Sequence, residues 1–291
     1  MQCRWVPSLG ALEGTHEQAW RTKTYIWPRD RYKDTCFFGL YDLRDYLALW
    51  LHKGKKYILW AGSDLKNLEQ GFMLNDGKLR TLSILLRRFS KWTYAAEKMA
   101  QLLQTADHWV ENETEAKILY KFDIEPHICP SFMGSVDDFR VSYKPQKPLN
   151  VYLSASEGRQ EEYGFPIIER IADKTPEIIY HLFGATWHTT KKNVIVHGRV
   201  PKDDMNHLIR QYQCGLRLNS FDGCSEILVK AVLMGQYAIG KVKHPLIPSF
   251  EDDYELIEEL KKISEYKNPN RKARDYYKFA LNKYPWVTTV R

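Results

Sequence analysis

The sequence lacks any long hydrophobic run. Its longest apolar stretches, around 57–62 and 227–235, are short and interrupted, well below the roughly 18 uncharged residues of a membrane span. The opening Met1-Gln2-Cys3-Arg4-Trp5 has no apolar segment of the kind that directs secretion. Cysteine is sparse: Cys3, Cys36, Cys129, Cys214 and Cys224 are odd in number and scattered, with no CxxC pair. That pattern supports neither a disulfide framework nor a zinc ribbon, and fits free thiols in a reducing cytoplasm. The nine histidines show no ligand spacing, and no HExxH or DxD-like cluster stands out, so no metal site is expected. Asp137-Asp138 and Asp203-Asp204 read as a turn and a helix start. Internal repeats and low-complexity tracts are missing too. With 44% hydrophobic and 27% charged residues, collagen, coiled coil and wholesale disorder are excluded.

What is present is a chain of 291 residues with net charge +7. At roughly 150 residues per domain, two domains are expected. The basic excess is shared by both halves, which suits an anionic ligand or surface rather than a basic tail. The first 35 residues show no clear period beyond a short strand at 2–6. From 35 onward, apolar runs alternate with helical spacing. A strand at 35–40, a helix at 43–52 closed by Gly54, and a strand at 56–61 make a parallel strand–helix–strand unit. Elements at 81–89, 93–104, 106–110, 114–121 and 127–129 continue the alternation. Tyr143 to Pro148 carries two prolines and two lysines and reads as the linker, placing the boundary at 145/146. The pattern restarts with strands at 149–154, 177–184, 193–197, 215–219 and 237–240, and helices at 164–174, 202–213 and 225–234. Two polar amphipathic helices, 252–263 and 270–281, follow. Such alternation specifies doubly wound α/β domains, whose ligands sit at the carboxyl ends of the strands.

The most informative stretch is 193–244. A strand closing at Asn219-Ser220 runs through Asp222-Gly223-Cys224-Ser225-Glu226 directly into an apolar helix. Free N–H groups and the helix dipole at such a turn suit phosphate, and the bland alternative is an ordinary helix start capped by Ser225. The residues Asn219-Ser220, Asp222-Gly223, Lys230-Ala231 and Gly235 match without a gap a pattern of the retaining GT-B glycosyltransferases. The sequence resembles family 4 of those enzymes in particular. Their second domain carries Pro-Ser, then Glu-Gly, then a second Glu eight residues after the first, then Ala and Gly. His197-Gly198-Arg199-Val200-Pro201 is similar to their Gly-x-Val-Pro loop, Leu182-Phe183-Gly184 to a strand end, and Gly164 with its helix to the opening of that domain. Leu59 to Asp64, Asp107 to Val110 and His127 to Pro130 resemble first-domain elements. The likeness covers about 36–244.

The resemblance implies two Rossmann-like domains facing an interdomain cleft, 1–145 on the acceptor side and 146–268 for the nucleotide sugar, with 269–291 returning to the first. It implies transfer of a sugar from a nucleotide-diphosphate donor to a glycan, lipid-linked or protein acceptor, with retention, without metal or other cofactor. The donor would rest on Arg159, Gly198, Arg199, Asp222, Gly223, Cys224, Ser225, Glu226 and Lys230, and catalysis on Asp64, Asp222 and Arg159. This chain departs from the pattern where Lys230 replaces the second acid, Tyr163 a phosphate-binding lysine and Ala61 a histidine. Glu226, one turn before Lys230, either takes over the ribose contact or pairs with the lysine. The other open alternatives are a solvated loop arginine at 159, a helix cap at Asp64 and a hydrogen-bonded strand-end histidine at 197. Lys78, Arg80, Arg87, Arg88 and Lys91 among Phe89, Trp92 and Tyr94 are either a solvated helix face or a peripheral membrane or acceptor contact through 78–94. No nucleic-acid partner is expected, because no RNP, zinc or helix-turn-helix signature accompanies the basic residues. The alternatives to a transferase are a non-catalytic GT-B relative that binds glycan or nucleotide, and a sugar-nucleotide epimerase.

Overall fold

The computed structural model describes residues 1–5, 15–41, 43–69 and 101–287. They fall into two compact units, Met1–Gly134 with Asn282–Arg291, and Ser135–Leu281. In the first unit, β1 (Gln2–Trp5), β2 (Lys23–Thr24), β3 (Thr35–Phe38), β4 (Lys56–Leu59), β5 (Asp107–Val110) and β6 (His127–Ile128) form one parallel sheet in the order β2-β1-β3-β4-β5-β6. All four residues of β3 are buried, as expected for a strand covered on both faces. The helices described in this unit are α1 (Thr15–Trp20), α2 (Leu43–Leu51), α3 (Ser63–Glu69) and α4 (Glu113–Tyr120). Asn112 caps α4, its Oδ1 accepting from Glu115 N at 3.0 Å. The sequence reading finds neither α1 nor β2, since both are too short to show a period. The elements expected at 81–89 and over most of 93–104 lie outside the described residues. Gly54 is not the left-handed helix end that its position suggests. A Cβ there would meet Lys33 O at 2.4 Å, so this glycine permits close approach of the 31–33 loop.

The core of this unit joins distant parts of the chain. Cys3, Trp20, Cys36, Phe38, Tyr57, Leu59, Cys129 and Met133 pack with Tyr284 and Trp286. The last two rings stack at 4.6 Å and 6°. Asn282 holds the returning tail: its Oδ1 accepts from Phe132 N (2.9 Å) and Trp20 Nε1 (3.2 Å), and its Nδ2 donates to Phe132 O at 2.8 Å. Tyr284 OH donates to Cys129 O at 2.8 Å. His108 is also buried. Its Nδ1 accepts from Trp60 Nε1 at 3.0 Å while Nε2 faces Leu103 O at 2.9 Å, a pairing that requires the neutral ring.

In the second unit, β7 (Leu149–Ser154), β8 (Ile178–Phe183), β9 (Val194–Gly198), β10 (Cys214–Arg217) and β11 (Tyr237–Gly240) form a parallel sheet in the order β11-β10-β7-β8-β9. The chain runs outward from β7 through β8 to β9, then crosses to β10 and β11 on the other side. The strand order therefore reverses between β7 and β10. Helices α5 (Phe165–Ile171), α6 (Lys202–Ile209), α7 (Glu226–Leu233), α8 (Asp253–Ser264) and α9 (Arg271–Ala280) complete the unit. Leu256, Ile257, Leu260 and Ile263 form one buried stripe of α8 in the core of this unit, packed near α5 and β11. Asp252 and Asn270 cap α8 and α9 through Glu255 N and Ala273 N. The segment read as a linker is packed into this unit. Ser142 N donates to Met234 O at 2.9 Å and Tyr143 OH to Tyr266 O at 2.7 Å. The helix expected to leave for the first domain, α9, stays with the second, and the described part of the returning tail is 282–287.

Removing the tail's anchor opens a cavity in the first unit. Trp286→Ala is expected to cost about 3–5 kcal/mol in urea unfolding. Burial pushes the pKa of His108 from 6.5 down to about 4. The stability held by its neutral ring is thus fully present above pH 6.5 and is lost as pH falls through about 4. Between neutral pH and pH 4, wild type should lose on the order of 3 kcal/mol that His108→Gln does not lose. Denaturant midpoints across that range check the difference.

Candidate functional site

Crossovers leave β7 and β10 in opposite directions, so their carboxyl ends part and form a crevice. Two loops line it. The first follows β7 and ends at Gly164, whose φ is +88°. A Cβ at Gly164 would lie 2.4 Å from the Leu218 Cβ, so only glycine lets this loop pack against the one that follows β10. Two guanidinium groups stand over one tyrosine ring there. Arg159 lies 4.8 Å and Arg217 4.0 Å from the Tyr163 centroid. Arg159 makes a fork to Glu162, at 2.8 and 2.7 Å. Arg217 Nε donates to Asp222 Oδ2 at 2.5 Å, and Asp222 Oδ1 accepts from Gly223 N at 3.1 Å. Beside Arg159 lies an open depression of about 460 Å³ lined by Gly158, Arg159, Gln160, Glu161, Glu162 and Trp187.

Asp222, Gly223, Cys224, Ser225 and Glu226 form one turn that enters α7. Ser225 occupies the cap position, but its hydroxyl makes no capping bond. The first turn of α7 thus starts at Ser225 without a side-chain cap. Lys230, buried in α7, pairs with Glu226 at 3.0 Å, and the Glu226 side chain stays one-third exposed. The Glu226–Lys230 pair is thus formed, and it leaves part of the Glu226 carboxylate at the surface. Asn219 donates from Nδ2 to Phe221 O at 2.7 Å, while its buried Oδ1 has no hydrogen-bond partner. His244 bonds to the backbone of Gly223, and burial lowers its pKa despite the pull of Asp222.

Arg159, Asp222 and the turn that follows are thus brought together. Gly198 and Arg199 stand elsewhere, at the end of β9. Gly198 has φ +64° with open space where a Cβ would be, and its carbonyl accepts from Gly184 N at 2.7 Å. His197 takes the bland reading. Asn150 Oδ1 can only accept, so His181 Nε2 donates to it (3.0 Å) and His181 Nδ1 accepts from His197 Nε2 at 2.9 Å. Burial and the neighbouring His197 lower the His181 pKa to about 4. Asp64, in the first unit, has no exposed surface. It accepts from Leu40 N, Ala61 N and Leu65 N at 2.9–3.0 Å. Burial raises its pKa to about 7 against those donors. In this conformation Asp64 ties two loops and presents no oxygen to an acceptor. The cationic stretch at 78–94 lies outside the described residues. Among the described residues, no three His, Cys, Asp or Glu side chains converge as a metal site would need.

Arg217 and His244 do not stand out in the sequence as site residues, and neither does the role of Tyr163. Arg217 left a signal: an arginine closing the otherwise buried strand Cys214-Gly215-Leu216 must reach a ligand or an acid. His244 left none, because its role depends on a loop contact.

No family model and no curated protein matches the sequence. Solved structures do match in fold. HepE of Anabaena in complex with UDP is 10% identical, with a TM-score of 0.57 over 87% of this chain and 75% of that one. Sucrose-phosphate synthase of Thermosynechococcus elongatus is 10% identical, with a TM-score of 0.57 over 86% and 70%. The pneumococcal O-GlcNAc transferase GtfA, in complex with UDP and GlcNAc, is 12% identical, with a TM-score of 0.52 over 87% of this chain and 55% of its own. The chain spans little more than half the length of that last protein. These structures are GT-B glycosyltransferases, and the fold they share with this chain is a pair of parallel-sheet α/β domains of the GT-B kind.

Proposed function

We propose that this protein is a glycosyltransferase that binds a nucleotide-diphosphate sugar on its second unit, between the ends of β7 and β10. One observation carries the reading: Arg159 and Arg217 share the Tyr163 ring beside the uncapped start of α7. Two planar cations and a set of helix amides make up a diphosphate site. Arg217 supplies the second cation that the resemblance assigns to the position of Tyr163. The carboxylates of Glu162 and Asp222 hold the two guanidiniums in place and give way to phosphate oxygens when the donor enters. Glu226, anchored by Lys230, accepts from the ribose hydroxyls. The UDP complexes of HepE and GtfA support a uridine diphosphate as the first ligand to try.

In the transfer, the bond from the anomeric carbon to the diphosphate oxygen breaks and a bond to the acceptor oxygen forms. The acceptor's proton passes to the departing diphosphate, and configuration is retained. Arg159, Arg217 and the α7 amides meet the negative charge that builds on the leaving group, so the reading needs no metal. Gly198 and Arg199, at the end of β9, would flank the nucleoside. The acceptor is a glycan, a lipid-linked saccharide or a protein.

A binding protein without turnover is the second reading. It is favoured by Lys230, a buried cation where the resemblance has an acid. Release of UDP from a panel of UDP-sugars separates the two, and turnover excludes binding alone. An EDTA-treated sample should keep that turnover.

UDP should raise the melting temperature by mass action. Arg217→Ala and Arg159→Ala should each weaken UDP about ten- to hundred-fold in calorimetry, the worth of one charge-assisted hydrogen bond. Unchanged affinity in both variants removes the proposed diphosphate site.

A further inference from the structure

The first unit carries an exposed aromatic and basic surface that plays no part in the transferase reading. Helix α2 buries Asp45, Tyr46 and Leu49. Its opposite face should be polar in a solvated helix. Instead it presents Leu47 and Trp50, the latter 62% exposed. The loop before β3 lies against the end of this helix. Lys53 N and Gly54 N both donate to Arg31 O, at 2.8 and 3.1 Å, and the Tyr25 ring meets His52 at 5.7 Å. That loop exposes Ile26, Trp27 and Tyr32, the last to 66%. It is built around buried Asp30, which accepts from Ile26 N and pairs with Arg29 and Lys33 at 2.7–2.8 Å. Its aromatic residues are thus presented by a braced turn.

Charge identifies the occupant. The described residues of 26–34 and 43–56 contain Arg29, Arg31, Lys33, Arg44, Lys53, Lys55 and Lys56. Their acids are Asp30 and Asp45, both buried, and Asp34, and outside them Asp107 pairs with Lys55 at 3.1 Å. Asp34 is therefore the one exposed acid within these segments. Exposed tryptophan and tyrosine flanked by lysine and arginine suit the water–lipid boundary. The rings sit among headgroups while the cations reach phosphate. Both segments lead into the amino ends of β3 and β4, so the surface lies at the opposite end of the first sheet from the carboxyl ends of its strands.

We propose that the outer face of α2, with Leu47 and Trp50, and the adjoining 26–33 loop, with Ile26, Trp27 and Tyr32, dock on an anionic lipid surface. The proposal does not rest on the transferase reading. The full chain is sedimented with vesicles of phosphatidylcholine alone and of phosphatidylcholine with phosphatidylglycerol. It is expected to follow the anionic vesicles only, and added salt should weaken the association. Trp27→Ser with Trp50→Ser, and separately Lys53→Glu, should each lower binding about ten-fold or more. These side chains are exposed, so the melting temperature and any shift caused by UDP should remain as in wild type. Equal binding by the variants overturns the proposal, as does binding that ignores anionic lipid or a failure to bind either vesicle. Concentration-dependent self-association in analytical ultracentrifugation that Trp50→Ser abolishes also overturns it, and assigns the face to a second copy of this chain.

Discussion

The reversal of strand order between β7 and β10 is the constraint on which the candidate site depends. Parallel strands that send their crossovers to opposite sides cannot keep their following loops in contact everywhere. A gap opens at their carboxyl ends, lined by backbone and by whatever side chains close the two strands. Here those side chains and their neighbours are arginines, an aromatic ring and acids. The close contact of Gly164 with Leu218 fixes how near the two loops stand. The Tyr163 ring gives two like charges a common surface over which neither is forced against the other.

Acids and cations in this crevice are held in pairs: Arg159 with Glu162, Arg217 with Asp222, Lys230 with Glu226. Pairing keeps a dense set of charges compatible with folding, since a lone buried charge is costly. It also sets a condition on ligands. In the proposed reading, an anion replaces a carboxylate at each guanidinium, which favours a diphosphate, with several oxygens, over a single carboxylate. Lys230 is the one cation of these pairs that lies inside a helix, and Glu226, one turn toward the amino end of α7, answers it.

Much of the fold was legible because buried parallel strands announce themselves. Thr35-Cys36-Phe37-Phe38 and Leu149 to Ser154 are apolar runs bounded by breakers, and the helices between them carry a 3.6-residue stripe. Where the chain crosses from one domain to the other was less legible. The two prolines near 145 suggest a linker, yet Tyr143 and Ser142 spend their polar groups on the second unit. Conversely, Tyr284 and Trp286 look like tail residues and are core. At the site, the loop 222–226 could be read from its glycine and its place before an apolar helix. Asp64 could not be judged from sequence, because a cap and a presented base share the same position after a strand. The distinction lies in three backbone donors, Ala61 and Leu65 beside the aspartate and Leu40 from another loop.

The stacked Tyr284 and Trp286 have a bearing on biosynthesis. A ribosome delivers residues 1–134 long before residue 286, and until then the pocket among Trp20, Tyr57 and Cys129 lacks its two closing rings. The second unit, contiguous from 135 to 281, has all its parts first. The half made earliest is therefore the one whose core is closed last along the chain, by two rings that are synthesised only after the whole of the second unit.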